Sequence, residues 1–227
     1  MSKTVMLQYL ENVSLFKFLT DEEKARLAEN CTIIKYKKGE TICKQGSFAN
    51  HIVFLTDGLG KNYIEGSNDK NLIIEIVRPF ELFGLTSLFK ENVFHLSLAS
   101  ITETNVCFIG KKIFADITEG NNIISKNIIE YFCVKAEHYF KKIAGLGNKQ
   151  LHGRFADAIL YLSKEIAQSK VLELSITRKE LGELAGISTE SAIRLLSELN
   201  HDGIIKLEGK KITLIKDNLL EKLSEIG

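Results

Sequence analysis

Residues 177–215 read TRKELGELAGISTESAIRLLSELNHDGIIKLEGKKITLI, and their patterning predicts a short helix, a tight turn at Gly186, a second helix and a two-stranded hairpin. In the second helix Ala192, Leu195, Leu196 and Leu199 recur at i, i+3, i+4 and i+7, so they share one face that should pack on the domain. Glu190, Arg194, Ser197 and His201 fall on the opposite face, joined by Ile193, where a solvated helix needs no isoleucine. Thr177 with Glu180 has the form of a capping box, and Ser188 can cap the second helix. Gly186-Ile187-Ser188 then joins two helices at a steep angle, as in a helix-turn-helix. Past Gly203, two β-rich runs at 204–207 and 210–215 flank Glu208-Gly209 and make a basic hairpin, or wing. An outward face with an acceptor, a cationic fork and an apolar group suits the edges of base pairs. Arg binds guanine through two hydrogen bonds, Glu accepts from cytosine, and an apolar group touches a thymine methyl. The simpler reading, a helical subdomain with a surface Glu190–Arg194 pair, gives the caps, the wing and Ile193 no joint explanation.

This segment resembles, without a gap, the winged helix-turn-helix of the CRP/FNR family of bacterial transcription regulators. The resemblance implies that Glu190 and Arg194 are the pair that reads a half-site, with Ile193 beside them. Members activated by cAMP carry a further Arg just before that Glu, where this chain has Thr189. The FNR branch carries a Ser just before the reading Arg, where this chain has Ile193. The half-site is therefore expected to share the family's G·C core and to differ at its flanks. Supporting DNA contacts are expected from Arg178, Lys179, Ser188, Thr189, Ser191 and Ser197, and phosphate contacts from Lys210 and Lys211. The partners implied are double-stranded DNA, RNA polymerase and a second copy of the chain.

The chain has 227 residues and a formal net charge of +1, so any DNA-binding surface must be a local one. A hydrophobic content of 44% is enough for a packed core. No run of some 18 apolar residues occurs, so no membrane span is expected. The N-terminus, MSKTVMLQYLENVSLF, is acidic and amphipathic rather than a signal peptide, which predicts a soluble cytoplasmic protein. Cys31, Cys43, Cys107 and Cys133 stand far apart without a C-x-x-C pair, so they are read as small apolar core residues and no metal site is expected. FNR-like oxygen sensors carry a clustered N-terminal set of cysteines that is absent here, which argues against an iron–sulfur sensor.

Residues 5–30 read as short helices, with a start at Thr20-Asp21-Glu22-Glu23. From Cys31 to about Ile117, short runs rich in Ile, Val, Phe and Tyr alternate with Gly, a pattern of an all-β sandwich or barrel. The stretch YKKGETICKQGSFANHIVFLTDG resembles the early strands of the cyclic-nucleotide-binding β-roll of the same family. In cyclic-nucleotide binders a Gly-Glu-Leu segment and a later Arg-Ser-Ala segment hold the ribose and the cyclic phosphate. Here Gly84 is present, Leu85 stands where the Glu should be, and Phe94-His95-Leu96 falls over the Arg-Ser-Ala triplet. A buried phosphate without a cation costs several kcal/mol, and a neutral His95 is a poor substitute. No cAMP or cGMP binding is expected. Gly84, Leu85, Thr86, Phe94, His95 and Leu96 form either packed core or the pocket of an unknown small-molecule effector. Some members of the family bind haem. The candidate ligands here are His51, His95, His138 and Met6, without an attachment motif, and no haem is expected.

Residues 121–146 form a long helical pattern in which Ile124, Ile128, Tyr131, Lys135 and Tyr139 recur at roughly heptad spacing. Ile123, Phe132, Val134 and Phe140 widen the stripe. One face of the helix is therefore expected to pack on the β-roll and the other, assigned to the five residues above, on a second copy across a two-fold axis. A monomeric core helix is the alternative. Gly145 and Gly147-Asn148 are expected to break the helix in a left-handed conformation and form a hinge. Arg154 begins the next domain in a structural role. A strand at 170–176 is expected to lead to Thr177, and Asp217 to cap a last amphipathic helix. The fold class is α+β: an effector-sensing, jelly-roll-like β-roll of the cyclic-nucleotide-binding type with N-terminal helices (1–120), a long dimerisation helix and hinge (121–148), and a C-terminal winged helix-turn-helix (149–227). No catalytic residue is identified: a nucleophile elbow, a phosphate-cradling loop with Lys and a paired His motif are all missing. The reading is a homodimeric transcription regulator controlled by an effector other than cAMP. The alternatives are a small-molecule-binding module or haem-based gas sensor of the same fold, a winged helix used for protein contact, and an enzyme on a β-barrel.

Overall fold

Helix α1 (Lys3–Asn12), a 3-10 turn (Ser14–Phe18) and helix α2 (Asp21–Glu29) precede the strands. The start of α2 is a full capping box: Thr20 Oγ1 accepts from the Glu23 amide, and a Glu23 carboxylate oxygen accepts from the Thr20 amide at 2.8 Å. The computed structural model describes residues 3–67, 70–89, 92–173 and 175–227. Strands β1 (Cys31–Tyr36), β2 (Thr41–Cys43), β3 (His51–Leu55), β4 (Gly60–Ile64), β5 (Leu72–Val77), β6 (Leu82–Phe83), β7 (Ser97–Ser100) and β8 (Thr104–Gly110) follow, with the short helix α3 (Thr86–Phe89) after β6. Among the described residues they form two four-stranded sheets, in the orders β1-β8-β3-β6 and β2-β7-β4-β5. This is the jelly-roll-like part of the mixed α and β architecture. By internal contacts the chain divides into two units, residues 1–62 with 76–138, and residues 63–75 with 139–227.

Within the β1-β8-β3-β6 sheet, β3 is buried on both faces from Ile52 to Leu55, which explains its unbroken apolar run. Along β3, Ile52 and Phe54 pack with Met6, Leu10, Phe16 and Leu27 of the N-terminal helices and with Phe114. The intervening Val53 and Leu55 pack instead with Cys43, Phe83, Leu98 and Val106 between the sheets. The period-2 geometry of a strand thus splits one apolar run between two core layers.

That division decides what the expected pocket residues do. Leu85 lies in the helix-side layer and Phe94 in the layer between the sheets, where its ring stacks on Phe83 at 5.4 Å. Leu96 packs at the edge of the second layer, and Thr86 and His95 are exposed. The six residues therefore do not converge on one cavity: two are core on opposite sides of a sheet. Gly84 has φ +91°, and a Cβ there would stand 3.0 Å from a Phe94 ring carbon, so both backbone and packing require glycine. His51 is exposed, its ring edge-on to Phe108, whereas Met6 is buried.

Helix α4 (Lys111–Gly120) leads to α5 (Asn122–Asn148). The stripe expected at a dimer interface is corrected here. Ile124 and Ile128 are 0% and 1% exposed and belong to the helix-side core of their own chain. Tyr131 Oη donates to the Leu82 carbonyl at 3.0 Å. Lys135 Nζ lies 3.7 Å from Glu81 and over the Tyr131 ring. Ile124 and Ile128 are apolar because they belong to this core, whereas Ile123, Ile129, Val134, Phe140 and Ile143 are the exposed large apolar residues of α5. A second correction concerns the hinge. Helix α5 continues through Gly145 to Asn148, and neither Gly145 nor Gly147 has a positive φ.

Beyond α5 lie α6 (Leu151–Tyr161), a π-helical turn (Leu162–Ala167), β9 (Val171–Leu172), α7 (Arg178–Ala185), α8 (Thr189–His201), β10 (Ile205–Glu208), β11 (Lys211–Leu214) and α9 (Asp217–Ile226). The strand expected at 170–176 is only two residues long, because β9 pairs with β11 at Leu172 and Val171 alone. Asp217 is the first residue of α9 rather than its cap, and it pairs with Lys170 at 2.7 Å.

Removing a buried β-carbon branch leaves a cavity, whereas trimming a solvated one does not. Ile124→Ala should destabilise the chain by roughly 2–5 kcal/mol, and Ile129→Ala by less than about 0.5 kcal/mol for a monomer in dilute solution. Urea unfolding at low protein concentration checks the pair, and equal losses would reverse the assignment of the two faces.

Candidate nucleic-acid interface

Helix α7 starts where the sequence places a cap. Thr177 Oγ1 accepts from the Glu180 amide at 3.1 Å, and a Glu180 carboxylate oxygen accepts from the Thr177 amide at 2.8 Å. It ends at Gly186, whose φ of +65° lets the Ile187 amide reach back to the Gly182 carbonyl at 3.0 Å. A Cβ at Gly186 would lie 2.5 Å from Leu146, so the turn also needs the space. Gly182 plays a part that the sequence reading missed. A Cβ there would stand 3.0 Å from the Ile187 carbonyl oxygen, so the missing side chain lets the turn fold close against α7. Arg154 supports the same turn, its Nη1 donating to the Gly186 carbonyl at 3.3 Å.

Helix α8 is capped by Ser188, whose Oγ accepts from the Ser191 amide at 3.1 Å. Its inner face of Ala192, Leu195, Leu196 and Leu199 is buried. Its outer face presents Glu190, Ile193, Arg194 and Ser197 to solvent, with Ile193 52% exposed. Ser188 is exposed at the start of the helix, and Thr189 and Ser191 are half-buried. The Glu190 carboxyl is held below its usual range, first by its hydrogen bond to its own backbone amide at the helix start and then by the Ser188 hydroxyl. It is therefore an ionised acceptor at neutral pH. Arg194 does not pair back to Glu190. Its Nε lies 3.9 Å from Glu198, whose other oxygen is 3.2 Å from His152 Nε2. An exposed contact of that length holds the guanidinium weakly and leaves it available to a stronger acceptor.

The wing is the β10–β11 hairpin, extended by β9 into a three-stranded sheet of order β10-β11-β9. Its basic residues are not equivalent. Lys211 Nζ is 2.9 Å from Glu173, which raises its pKa, and Lys206 pairs with Glu208 at 2.9 Å. Lys210 stands exposed in the turn. Arg178 donates to the Gly209 carbonyl at 3.1 Å and so ties the start of α7 to the wing tip, whereas Lys179 lies 3.8 Å from Glu183. Lys210 is exposed, and Arg194, with its carboxylate neighbour at 3.9 Å, is held more loosely than Lys206 or Lys211.

A buried cation lies behind the interface. Lys142 Nζ donates to the Leu184 carbonyl near the end of α7. Burial pulls its pKa down to about 8, and the nearby Asp157 carboxylate opposes the shift. Asp157 itself pairs with Lys149 at 2.8 Å.

Two helices joined by a glycine turn, with one exposed helix face and a hairpin wing, define a winged helix-turn-helix, a DNA-binding class of domain. The profile of the Crp-like helix-turn-helix domain matches residues 153–223, and that of the cyclic nucleotide-binding domain matches residues 33–121. The chain is 24% identical over 199 residues to the cAMP-activated global transcriptional regulator CRP of Salmonella typhimurium, covering 86% of this chain and 95% of that protein. It is 22% identical over 217 residues to the CRP-like cAMP-activated global transcriptional regulator of Mycobacterium tuberculosis, covering 94% and 96%. The structure of FixK2 from Bradyrhizobium japonicum superposes with a TM-score of 0.77 at 22% identity, covering 85% of this chain and 96% of that one. The chain belongs to the CRP/FNR family and is a CRP-like transcription regulator with a helix-turn-helix DNA-binding domain. Among the described residues no helix is long and apolar enough to cross a membrane.

The Lys142 environment has a pH signature. The unfolded chain holds this proton up to about pH 10.4, whereas the folded chain releases it near pH 8. Between those values the unfolded state binds more protons, so stability rises with pH there, and it falls to a constant lower level below about pH 8. The gain amounts to at most about 3 kcal/mol. Urea unfolding between pH 7.5 and 10 should show the wild type gaining stability relative to Lys142→Met. Parallel curves would remove the assignment.

Proposed function

We propose that the chain binds an inverted-repeat DNA site as a homodimer, under the control of a small-molecule effector other than cAMP. Each copy contributes one helix α8 to the major groove. There Arg194 donates to a guanine, Glu190 accepts from a cytosine and Ile193 meets a thymine methyl. The observation that carries this reading is the exposure of these three groups on a helix whose other face is buried. Lys210 meets phosphate, and Lys211 does so once it leaves Glu173. Arg178, Lys179, Ser188, Thr189, Ser191 and Ser197 flank these contacts. RNA polymerase is the proposed protein partner of the DNA-bound dimer.

The dimer reading rests on the outer face of α5. Ile129, Cys133, Ala136, Phe140 and Ile143 recur with alternating spacings of four and three residues, the seam of a two-stranded coiled coil. All but the half-buried Ala136 are exposed. A second copy across a two-fold axis covers this face and places two recognition helices about 34 Å apart, one turn of the duplex.

The argument against cAMP is one of charge. Relatives named as cAMP-activated belong to a family whose nucleotide binders use a Glu and an Arg at positions that here hold Leu85 and Phe94. Both are buried in apolar layers. A cyclic phosphate placed there would face no cation, at a cost of several kcal/mol.

Two measurements test the reading. In a salt titration on an inverted-repeat duplex, Arg194→Ala should lose roughly 1–3 kcal/mol per half-site and relax the preference at one base pair. Lys210→Ala should weaken all sequences about equally and lower the salt slope by about one per half-site. An Arg194→Ala protein with unchanged affinity would end the direct-readout proposal. Separately, Phe140→Glu should shift the chain to a monomer in sedimentation and weaken binding to the two-half-site duplex at least about tenfold, because a charge then sits in the seam. A Phe140→Glu dimer of wild-type affinity would show that another surface pairs the copies.

A further inference from the structure

Two of the cysteines read from sequence as separate core residues are brought together by the fold. Strands β1 and β8 pair antiparallel, with Cys31 opposite Ile109 and Cys107 opposite Ile33. Cys31 and Cys107 are thus diagonal neighbours on one face of the sheet, close enough for the Cys31 thiol to influence that of Cys107. Helix α1 supplies a third sulfur: the Cys107 thiol donates to Met6 Sδ at 3.8 Å. Met6 and Cys107 are buried, whereas Cys31 is half-buried, so one edge of the sulfur cluster reaches the surface.

Ordinary core packing accounts for apolar side chains in contact. It does not require three sulfurs together, and the geometry narrows what they suit. Diagonal positions of an antiparallel pair stand roughly 7–8 Å apart at Cα, whereas a disulfide spans about 4.4–6.8 Å. The pair is therefore poorly placed for a disulfide. A trigonal metal with bonds of about 2.3 Å to sulfur holds its ligands about 4 Å apart, close to the spacing of Cys107 and Met6. Thiolate and thioether are soft donors that favour Cu(I). Zinc prefers four ligands in a tetrahedron and draws them from thiolate, imidazole and carboxylate. Among the described residues no three His, Cys, Asp or Glu side chains are placed to hold a metal, and this cluster differs in taking a methionine as its third donor.

The geometry points to a Cu(I) site formed by Cys31, Cys107 and Met6 beneath helix α1. Loading converts two thiols, one thioether and Cu(I) into a complex of two thiolates and one thioether, with release of two protons. The metal is neither oxidised nor reduced, and the complex carries one negative charge in place of the two that bare thiolates would bring. In the metal-free chain the neighbouring Cys31 thiol, followed by burial, pushes the Cys107 pKa up. Metal binding supplies the energy to remove the protons. The bound ion would tie α1 to β1 and β8.

The test is an anaerobic titration of the full chain with Cu(I) against the chelator bicinchoninate, with X-ray absorption on the loaded protein. One equivalent of Cu(I) should be retained with about three sulfur neighbours near 2.3 Å. Cys31→Ser, at a half-buried position that tolerates a hydroxyl, should lower the affinity at least about 100-fold. Met6→Leu keeps the core volume and the thermal midpoint and should lower the affinity roughly tenfold. Failure to retain Cu(I), or Cys31→Ser binding as tightly as wild type, overturns the site. DNA binding is scored separately. A chain that holds Cu(I) but ignores the duplex leaves this inference standing and removes the previous one, and the reverse result removes this one alone.

Discussion

Helix α5 can present an apolar face outward only because another of its faces is already committed. Ile124 and Ile128 are inserted among Phe16, Phe54 and Phe114 of their own core, and Tyr131 and Lys135 are held by Leu82 and Glu81. These contacts fix the rotation of the helix about its axis. With that rotation, Ile129, Phe140 and Ile143 are largely exposed. Exposed apolar groups at heptad spacing on a rigid helix are costly alone and stabilising when paired. The same helix contributes residues up to His138 to one unit and residues from Tyr139 to the other.

The recognition surface is built on a different principle. Hydrogen bonds at the helix ends add to the buried inner face of α8 in setting its geometry: the Thr177–Glu180 box, the Gly186 turn and the Ser188 cap fix where it starts. Charge is then trimmed locally. Glu173 answers Lys211, Glu208 answers Lys206 and Glu198 lies near Arg194. A surface whose cations are mostly paired binds phosphate less strongly than a fully basic one. It leaves more of the total affinity to base contacts, and so to sequence. A formal net charge of +1 for the whole chain fits such a surface.

What was legible in the sequence follows the range of the forces involved. The caps, the turn and the two faces of α8 depend on residues within about one or two helical turns of each other, so spacing alone revealed them. Helix α5 was harder. It carries two apolar stripes of nearly the same period, one through Ile124 and Ile128 and one through Ile129 and Phe140. Only the position of Phe16, Phe54 and Phe114 decides which one is buried. The glycines at 145 and 147 misled for a related reason. Glycine weakens a helix without ending it, and here α5 runs on to Asn148. The pairing of Lys211 with Glu173 depends on β9 lying beside β11, a tertiary fact.

The β-roll illustrates how one strand register sets two chemical outcomes. With Ile52 and Phe54 facing the helices and Val53 and Leu55 facing the other sheet, Leu85 and Phe94 belong to opposite apolar layers. The same register sets Ile33 opposite Cys107 and Ile109 opposite Cys31, so that two thiols share a face beneath the methionine of α1. An apolar interior of this kind disfavours an unpaired anion, whereas thiol and thioether groups pack in it without unpaired polar atoms. In this chain a single arrangement of apolar strands sets both where Leu85 and Phe94 are buried and which two thiols share a face.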